Sequence, residues 1–215
     1  MTQPVHAPEH DASAPEEVSD GRLAKGARAR AGIARRAAEV ASVEGLTALS
    51  LAKLAGDLGV SKSGVATLFG TKENLQLAAV AAAREMFVDT VIRPAHAAER
   101  GMPRLRAMIE RWFAYIEEPV LPGGCFRGQI VPEFDSRPGA VRDALVADRD
   151  DWFAVLEKEI GRAQQQGRLA GVDPHALAFQ LDAIVAAANT AARLGDETAL
   201  PLARQLVDGL LGPDR

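Results

Sequence analysis

The residues whose side chains most often carry out enzyme chemistry are few in this chain and stand far apart. Of its four histidines, His6 and His10 lie near the N-terminus, and His96 and His175 lie on separate segments. His96 and Glu99 share the spacing of one helix face, but a single pair is a weak indication of a metal site. The sequence has no phosphate-binding loop, nucleophile elbow or cysteine cluster. We therefore expect a protein that is not an enzyme and needs neither a cofactor nor a metal.

A single cysteine, Cys125, follows two glycines and has no second cysteine in the chain to pair with. A reducing cytoplasm fits this composition best. A buried, inert thiol is favoured over a redox sensor. The sequence has no apolar run long enough to span a membrane, and its first twenty residues lack the basic start and apolar core of a secretory signal. These features predict a cytoplasmic protein.

Acidic and basic residues are concentrated in different parts of the chain. The net charge is −4, yet residues 21–75 carry nine basic and only four acidic side chains, while residues 1–20 carry five acidic and no basic ones. A basic segment beside an acidic remainder is expected where one end of a protein meets a polyanion such as DNA. A solvated helical surface can show the same pattern, so charge alone does not decide between the two.

The most informative stretch covers residues 51–72, LAKLAGDLGVSKSGVATLFGTK. It reads as a short helix, a glycine turn at Gly59 and a second short helix, which are the parts of a helix-turn-helix. Ser50, Ser61 and Thr71 stand at the N-cap positions of three successive helices. The faces predicted to be buried carry Leu51, Leu54 and Ala55 in the first helix and Val60 and Val65 in the second.

The segment around this motif resembles the DNA-binding region of the TetR family of transcriptional regulators. The resemblance covers about 50 residues near the N-terminus, with matching spacing throughout. It is carried by Ile33, Ala37, Ala38, Gly45, Leu54-Ala55, Gly59-Val60-Ser61, Phe69-Gly70-Thr71-Lys72-Glu73 and Leu75. It implies a sequence-specific regulator that binds a palindromic operator in double-stranded DNA as a homodimer. A small-molecule effector bound to the second domain would release it from the operator.

The resemblance also implies which residues meet the DNA. Base edges would be read by Lys62, Ser63 and Thr67, and phosphates would be bound by Ser61, Lys72, Arg28 and Arg30, with Ser50 also at the DNA. For Ser50 and Ser61 the alternative is helix capping alone, and for Lys72 it is an ordinary exposed lysine. Arg35 and Arg36 are interpreted as solvated surface.

One position departs from the family pattern. The family usually places tyrosine or another aromatic residue three positions before the phenylalanine at Phe69, where it meets the DNA backbone, and this chain has Ala66 there. Either Lys62, Thr67 and the basic first helix compensate, which we favour, or the affinity for DNA is reduced. In the second case the chain would be a TetR-fold protein with weakened DNA reading that acts through partners.

The rest of the sequence shows helical spacing throughout, so we predict an all-α protein of about nine helices. Residues 1–22 are predicted to be a disordered tail, 23–71 a three-helix DNA-binding domain and 72–215 a helical bundle for ligand binding and dimerisation. Large side chains of this bundle either form ordinary core or enclose a ligand pocket. The candidates for that pocket are Trp112, Cys125, Phe126, Trp152 and Phe179. A helical enzyme using the same pocket is the least favoured alternative.

The last two helices resemble the dimerisation elements of the family, four of which form a bundle across a two-fold axis. Residues 186–192, AAANTAA, are small enough to allow close approach of a second helix. Packing within the chain is the alternative. In the predicted mechanism, ligand binding shifts the helix that starts at Lys72 and changes the separation of the two recognition helices, which lowers operator affinity.

Overall fold

The computed structural model describes residues 16–213, with side chains from residue 24 onward. Within this range the chain forms nine α-helices of eight or more residues and no strand, which confirms the all-α prediction. None of these helices is both long and apolar enough to cross a lipid bilayer. The helices are α1 (Glu16–Glu44), α2 (Leu51–Leu58), α3 (Lys62–Phe69), α4 (Lys72–Phe87), α5 (Met102–Glu117), α6 (Phe126–Phe134), α7 (Ala140–Gln165), α8 (Pro174–Arg193) and α9 (Ala199–Leu211).

The first helix begins earlier than the sequence suggested. α1 starts at Glu16, so residues 16–22 are helical, although they were assigned to the disordered tail; residues 1–15 lie outside the described part of the chain. The prediction relied on the lack of hydrophobic periodicity in this segment. Helix propagation from an existing nucleus needs no such periodicity, and Pro15 is the last proline before the helix.

Hydroxyl side chains start the three helices that follow α1. Ser50, Ser61 and Thr71 each have extended backbone angles, and each hydroxyl oxygen accepts a hydrogen bond from the backbone N–H three residues later. Gly59 ends α2 with φ of 64°, a left-handed conformation that glycine adopts without strain. These caps fix a tight α2–turn–α3 unit.

The hydrophobic interior consists of two clusters. The first joins α1, α2, α3 and α4 to α6 and the beginning of α7. The second lies among α5, α7, α8 and α9. The core of the N-terminal three helices is therefore continuous with α6, which packs directly against α1.

The end of α4 changes its hydrogen-bonding pattern. After Phe87 the chain continues through a π-helical turn, Val88–Ile92, and one further α-turn, Arg93–Ala95. Pro94 lies in that last turn. Single π-helical turns within α-helices are often found at functional sites. Phe87, directly before this turn, is partly buried and packs against the second cluster.

Candidate functional site

The outer face of α3 presents small polar side chains to solvent. Lys62, Ser63 and Thr67 are exposed, whereas Val65 and Phe69 on the opposite face are buried. The Thr67 hydroxyl donates to the Ser63 carbonyl oxygen at 2.8 Å, which holds its methyl group and oxygen in a defined orientation. A short helix supported from beneath, with a polar outer face, has the geometry needed to enter the major groove of DNA.

The structure also gives the surroundings of Val60 and Ala66, two residues that the sequence analysis singled out. Val60 is 45% exposed, so the prediction that it supports α3 from beneath was wrong. It precedes the N-cap Ser61 and lies in the turn, outside the periodicity of the helix. Ala66 is half-buried beside the buried Val65. An aromatic side chain at this position would be much larger than the exposed serine and threonine side chains of α3.

Basic side chains flank the outer face of α3. Arg28 and Arg30 are exposed on α1, and the Arg30 guanidinium carbon lies 4.9 Å from the centroid of the Phe69 ring. Lys72 is exposed in the first turn of α4, where its ammonium group donates to the carbonyl oxygen of Thr47. Arg30 and Lys72 are thus held by the fold next to α3, close to where a duplex entering on this face would place its phosphates.

A hydrogen-bonded junction ties α6 to the loop between α1 and α2. The Glu133 carboxylate accepts from the backbone N–H groups of Leu46 and Thr47, both at 2.8 Å. From the same side, Arg137 donates to the Thr47 hydroxyl at 3.0 Å, while Gln76 of α4 donates to the Leu46 carbonyl oxygen at 2.8 Å. This set, which we call the loop junction, connects the loop between α1 and α2 to both α4 and α6.

Replacing Glu133 with alanine should weaken the loop junction measurably. Two backbone donors lose a charged acceptor, so we expect the free energy of unfolding to fall by about 2–4 kcal/mol. Glu133→Gln keeps one acceptor oxygen and should lose about half as much. Chemical denaturation of both variants and of a control, Glu99→Ala at an exposed position, checks this. A Glu133→Ala variant as stable as the control would show that the junction contributes nothing.

A cavity of about 360 Å³ opens between α5, α6, α7 and α8. Its wall combines small and apolar residues with a few charged or polar ones: Trp112, Cys125, Arg127, Gly128, Val131, Pro132, Arg149, Asp182, Ala186, Ala187, Asn189 and Thr190. Trp112 and Cys125, two of the predicted pocket residues, are in this wall. Phe126 lines a smaller adjoining space on the side of α4, and Trp152 packs behind Trp112.

Phe179 was the remaining pocket prediction, and the structure places it elsewhere. Its side chain is 55% exposed on α8, away from the cavity wall. At 100° per residue, a position two residues from Leu177 and from Leu181 lies about 200° around the helix from each. Because Leu177 and Leu181 are both buried, Phe179 points outward from the bundle.

Arg127, which lines both the cavity and the smaller adjoining space, has its guanidinium packed against three aromatic rings, and sequence reasoning missed it. The Arg127 guanidinium carbon lies 5.0 Å from the Phe87 ring centroid and 5.5 Å from those of Trp112 and Trp152. We call these three rings the aromatic box. Edge-to-face contacts hold the box together, with centroids 5.2 Å apart for Phe87–Trp152 and 5.3 Å for Trp112–Trp152. In the sequence the only indication was a single arginine directly after Phe126.

Two carboxylates accompany Arg127. The Asp148 carboxylate oxygens lie 3.9 Å from Nε of Arg127 and 3.3 Å from Nη1 of Arg84. Burial raises the pKa of Asp148 despite the opposing effects of both guanidinium groups. Asp182 is at the cavity wall, and burial likewise raises its pKa against the effect of Arg127 and Arg149. The surroundings of low polarity therefore disfavour the charged form of both carboxyl groups.

The outer faces of α8 and α9 expose apolar side chains next to each other in the fold. Phe179, Leu202 and Leu206 are each about half exposed, and Leu194 at the turn between the helices is 84% exposed. Between them runs a shallow groove of alanines, lined by Ala183, Ala187, Ala191, Leu202 and Leu206. We call this surface the α8–α9 face. Its apolar character is typical of a surface that another protein covers.

Comparison with known families and structures gives a consistent result. The model of the tetracycline-repressor-like C-terminal domain family matches residues 101–207. The structure is similar to that of a TetR transcriptional regulator from Chloroflexus aurantiacus, with a TM-score of 0.76 and 25% identity, covering 86% of this chain and 94% of that one. A search of curated protein sequences found no significant match.

Two further similar structures contain ligands. AibR, solved in complex with isovaleryl coenzyme A and operator DNA, has a TM-score of 0.68 and 22% identity, covering 86% of this chain and 100% of its own. A regulator from Saccharomonospora viridis, solved in complex with choline, has a TM-score of 0.67 and 20% identity, covering 85% of this chain and 95% of its own. At these identities the likeness concerns the fold.

Proposed function

The chain belongs to the TetR family of transcriptional regulators, and we propose that it is a repressor that a small-molecule effector releases from its operator. As a DNA-binding regulator it is not an enzyme. The polar outer face of α3, supported by buried Val65 and Phe69, is the observation that carries the proposal. The protein would act in the cytoplasm, where its operator is accessible.

DNA reading is assigned to α3 and its basic surroundings. Lys62, Ser63 and Thr67 would contact base edges, because they are exposed on the helix that a helix-turn-helix places in the major groove. Phosphates would be bound by Ser61, Lys72, Arg28 and Arg30, with Ser50 at the start of α2. The hydroxyl oxygens of Ser50 and Ser61 already accept capping hydrogen bonds, which leaves their O–H groups and the N–H groups of the helix N-termini to donate to phosphates.

The operator would be a palindrome read by a homodimer. A single eight-residue recognition helix contacts few base pairs, so specific binding requires two copies about one helical turn of DNA apart. The α8–α9 face supports this, since its exposed leucines and alanine groove suit an isologous four-helix contact.

The effector would occupy the cavity and act through two connections. Arg127 of α6 contacts Phe87 of α4 at the cavity, and Glu133 of the same helix holds the loop junction. A ligand that moves α6 therefore displaces both α4 and the α1–α2 loop. Such a ligand lowers operator affinity only if it binds the displaced arrangement more tightly. The sequence-based mechanism assigned this movement to α4, and we propose that α6 shares it.

A mobility-shift titration with the DNA upstream of the coding region tests the proposal. We expect a specific complex, and Lys72→Ala should weaken it, with the slope of log K against log salt reduced by about 1 for each Lys72 lost. Lys158→Ala, at an exposed position on α7, is the matched control and should leave binding unchanged. Specific binding unaffected by Lys72→Ala would reject this contact. Binding without sequence preference would instead favour a TetR-fold protein that acts through partners.

A further inference from the structure

Two residues of the cavity wall each carry a buried hydrogen-bond donor that has no hydrogen-bond partner among the described residues. The donors are Nε1 of Trp112, whose side chain is 2% exposed, and Nη2 of Arg127. Buried polar groups in native proteins almost always have a hydrogen-bond partner, so unpaired ones need an explanation. Because both donors belong to residues that line one cavity, a bound molecule with acceptor atoms would satisfy them together.

The aromatic box determines the charge of that molecule. Boxes of aromatic rings in other proteins bind quaternary ammonium groups through their negative ring faces. In this chain the guanidinium of Arg127 already lies over Phe87, Trp112 and Trp152. A cationic ligand would find the ring faces occupied and would be repelled by Arg127, whereas an anion would be attracted.

The remaining wall describes the rest of the ligand. Arg149 adds a second positive charge, opposed by Asp182 at the wall and by Asp150, whose carboxylate oxygen lies 3.8 Å from the Arg149 guanidinium. The other lining residues are mainly small or apolar and leave space beside α6 and α8, among them Gly128, Val131 and Ala186. This combination of two cations, unpaired donors and an apolar floor matches a molecule with an anionic head and a hydrocarbon body.

We propose that the cavity binds an amphipathic carboxylate, whose carboxylate oxygens accept hydrogen bonds from Nη2 of Arg127 and Nε1 of Trp112. This inference rests on the proposed effector function and specifies its ligand class. The hydrocarbon part lies along Val131, Pro132 and the alanines of α8. Binding at Arg127 competes with its contacts to Phe87 and Asp148, which gives the ligand a direct effect on α4 and α7.

The test uses calorimetric titration of the full chain, without DNA, with straight-chain carboxylates from hexanoate to decanoate. Each carboxylate is paired with its primary amide, and decyltrimethylammonium serves as the cationic probe. We expect at least one carboxylate to bind about tenfold or more tightly than its amide, and the cation not to bind. Equal affinities for carboxylate and amide, preferred binding of the cation, or no binding by any carboxylate would overturn the proposal.

Two variants connect this selectivity to the named donors. Trp112→Phe keeps an aromatic ring but removes Nε1, which has no partner among the described residues. It should therefore weaken carboxylate binding several-fold, and because the smaller ring leaves a gap in the core, the melting temperature should fall modestly. Asp182→Asn removes the opposing carboxylate and should strengthen binding. If Trp112→Phe binds the carboxylate as tightly as the unmodified chain, Trp112 is not a ligand contact and the proposed site is wrong.

An operator titration in the presence of the same probes separates this inference from the proposed function. If the chain binds a carboxylate but does not bind its upstream DNA specifically, the regulator function is rejected and the proposed ligand class is retained. Specific operator binding by a chain that shows no preference for carboxylates would do the reverse. If both hold, the bound carboxylate, but not its amide, should release the operator.

Discussion

Replacing Leu206 with glutamate should convert the protein to monomers and reduce its operator affinity by about 10²–10⁴-fold. Leu206 is 49% exposed on the α8–α9 face, and a two-fold contact would bury it together with its copy. Two glutamates brought together on an apolar surface would have to be desolvated without partners. With separate chains, the second recognition helix no longer benefits from the binding of the first. Light scattering measures the mass, and fluorescence anisotropy measures the affinity.

The matched control for this prediction is Val146→Glu. Val146 is 41% exposed on α7 and does not belong to the α8–α9 face, so the same chemical change there should leave a dimer with normal operator affinity. A dimeric Leu206→Glu variant with unchanged affinity would place the dimer contact elsewhere on the molecule.

Gly123→Ala should cause the largest loss of stability, about 3 kcal/mol or more. A Cβ atom at this position would lie 1.6 Å from the carbonyl oxygen of Ser42 and 2.1 Å from its carbonyl carbon. The Gly123 N–H donates to the Ser42 hydroxyl at 2.9 Å, so the backbone before α6 is pressed against α1 at a hydrogen-bonded contact. An added methyl group must force α1 and this segment apart, because the nearest atoms belong to backbone that cannot rotate away.

Thermal and chemical denaturation measure this effect, with Gly161→Ala as the control. Gly161 lies within α7, and a Cβ there meets no atom within 4 Å, so alanine should stabilise the protein by about 0.5–1 kcal/mol. Opposite signs for the two glycines are the expected result. A Gly123→Ala variant as stable as the unmodified chain would mean that α1 and the segment before α6 are not in close contact.

The regular features of the fold could be predicted because local rules decide them. Ser50, Ser61 and Thr71 cap helices as N-cap hydroxyls do, and Gly59 adopts the left-handed conformation expected of a glycine turn. In each case the information lies within a few residues of the feature itself.

The parts that escaped prediction depend on contacts between distant segments. Arg127 was not recognised because a lone arginine in a helix is normally solvated, and only the fold brings Phe87, Trp112 and Trp152 around it. Glu133 is separated by 87 residues from Leu46, its hydrogen-bond partner, so its role could not be read from spacing. Phe179 was wrongly assigned to the pocket because its aromatic side chain was considered without its position relative to the buried stripe of α8.

A footprinting titration of the full chain on its upstream DNA tests most directly whether two copies of α3 read one operator. We predict one protected palindromic site that binds two chains, about 10³-fold or more tightly than a scrambled duplex of equal length. The affinity should fall linearly with log salt concentration. One chain per duplex, with equal affinity for the upstream and the scrambled DNA, would contradict the account.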